Sequence, residues 1–295
     1  MSVQHEPVMV AEVLELLAPA RGGLFVDCTV GLGGHSRALL EAGATRVLGF
    51  DRDRRALDIA ERTLAPFSDR VELVHADYRD IDRVLDARGI AAVAGALADL
   101  GVSSMQLDTE GRGFSFRRDE PLDMRMDQGG GPTAAEWLRD VEETALANVI
   151  YEYGEERYSR RIARAVVQAR ESTPIETTGQ LAALVRRAVP HRGYQRIDPA
   201  TRTFQALRIW VNRELEGLDQ FLVQAGRRLL QGARFAVIAF HSLDDRIVKH
   251  TFRAIEKAEE AMRIVTKRPL VPADDELARN PRARSAKLRA IERAA

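Results

Sequence analysis

Four short apolar runs in the first hundred residues each close on or beside an aspartate, with helical patterns between them. The runs cover residues 24–29, 46–51, 71–77 and 95–99, and the acids are Asp27, Asp51, Asp77 and Asp99. Residues 35–41 and 54–64 read as helices. A strand that must run parallel to the previous one needs a crossover, so this alternation predicts a parallel sheet with helices on both faces. Ligands of such sheets sit at the carboxyl ends of the strands. The four acids are therefore expected around one crevice.

The first crossover begins with Val26-Asp27-Cys28-Thr29-Val30-Gly31-Leu32-Gly33-Gly34-His35. Glycines let a backbone approach a ligand where a Cβ would clash. A dinucleotide fingerprint needs G-x-G-x-x-G. Gly31 and Gly33 fit it, but Ser36 stands at the third position, which counts against NAD. An S-adenosylmethionine loop reads acid-x-Gly-x-Gly-x-Gly. Asp27 supplies the acid, Thr29 replaces the first glycine, Gly31 and Gly33 fit, and Gly34 adds a small residue. Asp51 is placed to accept both hydroxyls of a ribose, which either cofactor carries. Asp77-Tyr78 suits an adenine, with an acceptor for its amine and an aromatic face. Asp99 is a candidate for orienting a target amine or for holding the methionine part of the cofactor. The plainer reading of each acid is a cap on the helix that follows.

The rhythm breaks after strand four. Residues 111–127 are polar with two Phe, residues 129–132 are Gly-Gly-Gly-Pro, and Thr133 with Glu136 reads as a capping box. From there to about residue 215 only helical periodicity appears: Ile162, Val166 and Ala169 share one face, and Leu181, Leu184, Val185 and Ala188 another. The pattern then returns, with a helix at 217–230, a buried strand at 234–240, a helix at 244–260 and an antiparallel pair at 263–271 and 285–293. The expected organisation is a discontinuous α/β domain, 1–112 and 213–295, carrying an all-helical insert, 113–212.

Net charge is zero, so no global field marks a nucleic-acid or membrane partner. Charge is nevertheless unevenly spread. Residues 1–99 hold 11 Lys and Arg against 16 Asp and Glu, and residues 263–295 hold 9 against 4. The single cysteine, Cys28, excludes an intrachain disulfide and any Cys-based zinc site, and it reads as core. His5 and His35 are not at metal-ligand spacing with any carboxylate, so no metal is expected. With no signal-like N-terminus and no apolar run near 18 residues, the protein is expected to be soluble and cytoplasmic.

Longer blocks carry a resemblance. They include residues 5–9 (HEPVM), 29–36 (TVGLGGHS), 99–104 (DLGVSS), 106–108 (QLD), 113–116 (GFSF), 121–126 (PLDMRM), 153–157 (YGEER), 199–209 (PATRTFQALRI), 240–243 (FHSL) with Asp245-Arg246, and 280–289 (NPRARSAKLR). In this order and over nearly the whole chain, they resemble the ribosomal RNA small subunit methyltransferase H family of bacteria. The resemblance implies a Rossmann-like seven-stranded S-adenosylmethionine-dependent methyltransferase domain interrupted by a helical insert that recognises substrate. It implies methylation of the exocyclic N4 of a cytidine in the decoding region of 16S rRNA, a partner in the small ribosomal subunit, and leaves a homodimer open. By position it assigns cofactor contacts to Gly33, Gly34, His35, Asp51, Tyr78, Asp99 and Gln106. Tyr78 stands where the family commonly has Phe, which keeps the aromatic face. Met105 stands where Pro is common, which bears on the rigidity of the loop carrying Gln106. Asp198 stands where His is frequent.

A cytidine amine in folded RNA must be exposed on a single strand or by base flipping. Phosphate and stacking contacts from the insert are expected at Arg192, Tyr194, Arg196 and Arg202. Arg157, Arg160, Arg161 and Arg164 read equally well as a solvated face paired with Glu152, Glu155 and Glu156. The basic stretch from Arg279 to Arg293 reaches RNA or merely balances the acidic half. His241 is open between substrate contact and structure, and Phe204 and Trp210 read as core. Two other functions compete: an NAD-dependent dehydrogenase, disfavoured by Ser36, and a nonenzymatic RNA-binding assembly factor, disfavoured by the intact set Gly33, Gly34, Asp51 and Asp99.

Overall fold

The computed structural model describes residues 7–190 and 197–294. The chain forms two compact units, one made of the residues up to Gly101 and from Leu215 onward, the other of Val102–Glu214.

The first unit is built on seven strands: β1 Leu24–Asp27, β2 Arg46–Asp51, β3 Val71–His75, β4 Val93–Asp99, β5 Leu229–Ala239, β6 Met262–Ile264 and β7 Lys287–Arg293. Their order is β3-β2-β1-β4-β5-β7-β6. β1 to β5 are parallel, and β7 pairs antiparallel with both β5 and β6. This is a Rossmann-like α/β fold. The direction of strand succession reverses between β1 and β4, which makes the carboxyl ends of those strands the natural crevice.

The strands are near-continuous apolar runs because helices cover both faces. Successive residues serve opposite sides. Val26, Leu48, Phe50, Ala98 and Phe235 join Phe221 and Phe252 in one core. Phe25, Val47, Leu97, Ala236 and Ile238 join Leu39, Leu40, Leu64 and Leu17 in the other. The helix Arg54–Leu64 has the bounds the sequence predicts, with Asp53 capping the Arg55 N–H at 3.1 Å. The predicted helix at 217–230 ends at Arg227, and its last residues belong to β5. Leu229 is buried in register with Val93, so sheet pairing overrides the helical pattern. The predicted 263–271 strand is shorter. β6 covers Met262–Ile264, and beyond it only an isolated Leu270–Leu288 bridge touches β7 among the described residues.

The second unit carries the helices Ser104–Asp108, Ala134–Asp140, Glu143–Gly154, Ser159–Arg170, Thr178–Ala188 and Ala200–Asn212. The Thr133–Glu136 capping box is present. Ile162, Val166, Leu181, Val185 and Ala188 are buried together, and Trp137 stacks on Trp210 with centroids 3.8 Å apart. The compact unit begins at Val102, ahead of residue 113. The irregular segment before the long helices packs Phe114, Leu122, Met124 and Met126 into the helical core. Met124 has φ 64, a left-handed conformation that is strained for a side chain of its size.

Candidate functional site

The turn after β1 is left-handed twice, at Gly31 (φ 52) and Gly33 (φ 85). Gly33 is the N-cap of the helix Gly34–Glu41. A Cβ on Gly33 would suffer the strain of positive φ and meet the Leu64 side chain at 3.2 Å, and one on Gly34 would meet Pro7 at 2.9 Å. Glycine is therefore required here by the left-handed backbone at Gly33 and by the close packing of the turn against Leu64 and Pro7.

Asp51, at the tip of β2, braces this turn. One oxygen accepts the Gly31 N–H and the other the Asp53 N–H, both at 2.8 Å. Each carboxylate oxygen keeps a further lone pair for an incoming donor. Burial pushes the Asp51 carboxyl up to about 6, against the lowering effect of those two bonds.

Asp27 is wholly buried at the end of β1. It accepts the Ser36 hydroxyl at 2.7 Å and the Thr29 N–H at 3.2 Å. Burial raises its carboxyl above the usual range, and the charge of His35 and these bonds only partly offset it. Thr29 turns its hydroxyl to the Asp99 N–H at 2.6 Å, tying the ends of β1 and β4 together. Ser36 and Thr29, the two residues that depart from glycine fingerprints, thus hold the acids in place. Sequence reasoning assigned them no task.

His35 is buried, and its Nε2 lies 3.6 Å from Asp99 Oδ2. Neither ring nitrogen has a hydrogen-bond partner among the described residues, nor does Asp99 Oδ1. Burial disfavours the imidazolium, but the Asp99 carboxylate, with Asp27 and Glu276 beyond it, outweighs burial and raises the His35 pKa. A buried, unsatisfied imidazole and carboxylate oxygen at the switch point are what a polar ligand would complete.

Tyr78 is half-buried just beyond β3, its ring 4.5 Å from that of Phe221. Asp77 is held by arginines. Both its oxygens are engaged by the Arg79 guanidinium, at 2.8 and 2.6 Å, and Arg52 stands 3.6 Å away. It is half-buried, which alone would raise its carboxyl, yet the arginine contacts hold it below the usual range. Oδ2, with a single hydrogen bond from Arg79, keeps a further lone pair. Gln106 lies in the helical unit. It is buried in a capping box, in which its Oε1 accepts the Ser103 N–H at 3.0 Å and its N–H donates to Ser103 Oγ at 3.3 Å.

His241 has a structural task. It is the N-cap of the helix Ser242–Ala258, its Nδ1 accepting the Asp244 N–H at 3.3 Å while Asp244 accepts the His241 N–H at 3.1 Å. In the helical unit, Arg164 lies 3.5 Å from Glu143 rather than pairing with the three predicted glutamates. Arg157 stacks over Tyr158 at 4.7 Å, and Arg202 reaches Glu156 at 3.9 Å. Phe204 is buried against Phe116. Arg192, Tyr194 and Arg196 lie outside the described residues. Among the described residues no group of three or more His, Cys, Asp or Glu is placed to hold a metal ion, and no helix is long and apolar enough to cross a membrane.

The model of the MraW methylase family matches residues 2–294. The chain is 53% identical over 292 residues to a ribosomal RNA small subunit methyltransferase H of Deinococcus radiodurans, covering 99% of this chain and 90% of that protein. It is 51% identical over 290 residues to the protein of that name from Sorangium cellulosum (98% and 91% covered). Against that of Thermotoga neapolitana it is 50% identical over 293 residues, covering 98% and 95%. On this match over its whole length, the chain belongs to the MraW methylase family.

Proposed function

We propose that the protein transfers a methyl group from S-adenosylmethionine to the exocyclic N4 of a cytidine in the decoding region of 16S rRNA, in the small ribosomal subunit and in the cytoplasm. The observation that carries this reading is the switch-point crevice. A glycine turn without obstructing Cβ atoms lies there beside Asp51 and beside an unsatisfied His35–Asp99 pair. Bound there, the cofactor supplies an electrophilic methyl on a sulfonium.

The protein's own residues bind and orient. The Gly33 and Gly34 backbone lets the cofactor lie close, Asp51 accepts the ribose hydroxyls, and Tyr78 offers a face to the adenine. His35, Asp99 and Gln106 complete the cofactor contacts. The lone pair of a cytidine amine is delocalised into the ring, so it is a poor nucleophile. An Asp99 carboxylate oxygen that accepts its N–H aligns the nitrogen and favours the positive charge it gains. The helical unit recognises substrate, with exposed arginines such as Arg160 and Arg161 for phosphates. The base reaches the site unpaired or flipped.

The test is to incubate the protein with labelled S-adenosylmethionine and small subunits from a strain lacking the enzyme, then map the label. Label on a cytidine N4 is expected. No incorporation together with no cofactor binding by calorimetry would overturn the reading, and label on an adenine would overturn the choice of base.

A further inference from the structure

His35 opens its helix with 6% of its side chain exposed, and acids face it from three elements. Asp99 approaches from the end of β4 at 3.6 Å, with 22% of its side chain exposed. Asp27 acts from the end of β1, and Glu276 from the helix Asp274–Arg279. Two of these acids are engaged elsewhere. Asp27 holds Ser36 and Thr29, and Glu276 accepts the Met9 N–H at 2.8 Å. Asp99 keeps Oδ1 without a partner among the described residues, as His35 does both ring nitrogens. The imidazole is therefore the group whose charge balances Asp99.

We propose that His35 is a positioning residue for Asp99 whose protonation sets how strongly the site prefers the sulfonium cofactor over the neutral thioether left after transfer. As a cation, His35 neutralises the carboxylate. As a neutral ring, it leaves Asp99 an uncompensated anion. This rests on the methyltransferase reading above.

Cofactor and product differ by one methyl and one positive charge. Their adenine, ribose, amine and carboxylate are shared, so contacts such as those of Asp51 cancel in the ratio of affinities. What remains is the charge of the site around the sulfur. Charges inside a part-buried site are screened far less than in water, so one compensating proton suffices to alter the ratio. Linkage makes the effect reciprocal. Binding the sulfonium expels a proton from His35, and binding the thioether expels less. Acidification thus weakens cofactor retention relative to product, and alkaline pH favours exchange of product for cofactor. If His35 were only a buried structural partner of Asp99, its loss would lower stability without touching this ratio.

The experiment is calorimetry with S-adenosylmethionine and S-adenosylhomocysteine on the wild type and His35→Gln, at about pH 7 and about pH 9, above the titration of Asp51. In the wild type the affinity ratio is expected to move toward the sulfonium by about fivefold or more as pH rises, within the tenfold that a coupling of one pKa unit allows. In His35→Gln it stays flat. A flat wild-type ratio, or an undiminished slope in the variant, overturns the inference and leaves the function standing. No binding of S-adenosylmethionine at either pH overturns both. Should His35→Gln not fold, NMR titration of histidine-labelled wild type decides. The His35 resonance must titrate at lower pH with the sulfonium bound than with the thioether, and equal titration in the two complexes overturns the inference.

Discussion

At the carboxyl edge of the α/β unit, His35 and Asp99 carry buried polar atoms that no described residue bonds, whereas the buried Asn212 of the helical unit is spent on the surrounding backbone. The Asn212 oxygen accepts the Met126 N–H at 2.7 Å, and its amide donates to the carbonyls of Met124 and Arg208 at 2.7 and 2.9 Å. Those bonds hold the strained Met124 segment in the helical core. A buried polar group left unpaired costs about 1–3 kcal/mol. A fold keeps such a group where something outside the chain completes it, and satisfies it internally where the group serves architecture. Thr203 Oγ1 in the helical unit is also buried without a partner among the described residues, so the contrast is between Asn212 and the His35–Asp99 pair, not between the two units as wholes.

The sharpest way to break this contrast is Asn212→Ala. It orphans an N–H and carbonyls under hydrophobic cover, so a loss of about 3 kcal/mol is expected in denaturant unfolding, with cofactor affinity unchanged. A comparable loss of cofactor affinity would show that Asn212 also serves the ligand. Asp51→Ala is the mirror experiment. Calorimetry is expected to show cofactor binding weakened on the order of 100-fold, about 2.7 kcal/mol, for loss of a charged acceptor of two hydroxyls.

The pH dependence sharpens the same site. The Asp51 carboxyl sits at about 6, against an ordinary value of 3.8. As pH falls through about 6 the folded protein takes up a proton there, an acceptor oxygen becomes a donor, and cofactor affinity falls, by about tenfold one unit below. Asp51→Asn removes this limb. For stability the sign is opposite. A raised carboxyl pKa means that the folded state holds the proton more tightly than the unfolded chain. The stability contributed is fully present below about 3.8 and is lost as pH rises through about 6. Urea midpoints of the wild type and Asp51→Asn across that window check it. The smallest effect is expected at Thr133→Ala. It removes the capping box of the helix Ala134–Asp140, at about 1 kcal/mol in unfolding and with no change in cofactor binding.

Much of both units was legible because their signals are local. The helix Arg54–Leu64, the Thr133–Glu136 box and the buried face Leu181, Val185 and Ala188 are set by neighbours within a turn or two. The helices Val10–Leu17, Ile81–Asp86 and Asp274–Arg279 were not legible. They are too short to declare a period alone and form by packing. Leu229 read as helix until sheet pairing claimed it. Nothing in the neighbouring Arg79 announces that it folds back onto Asp77. Ser36 and Thr29 read as mere departures from a glycine pattern, and only the closeness of β1 to β4 gives their hydroxyls work.

By itself the chain's sequence determined the alternation of strand and helix, the aspartates at the strand tips, the glycine turn and the family. These are written in periods of two and 3.6 residues and in contiguous blocks, which near neighbours enforce. Tertiary structure alone decided that Asp99 faces His35, that Asp51 braces Gly31 and that Asp27 is closed over by Ser36. Those meetings depend on strand order and burial, and burial governs the charge each group carries. Charge state is a property of the packed surroundings, and no local pattern contains it.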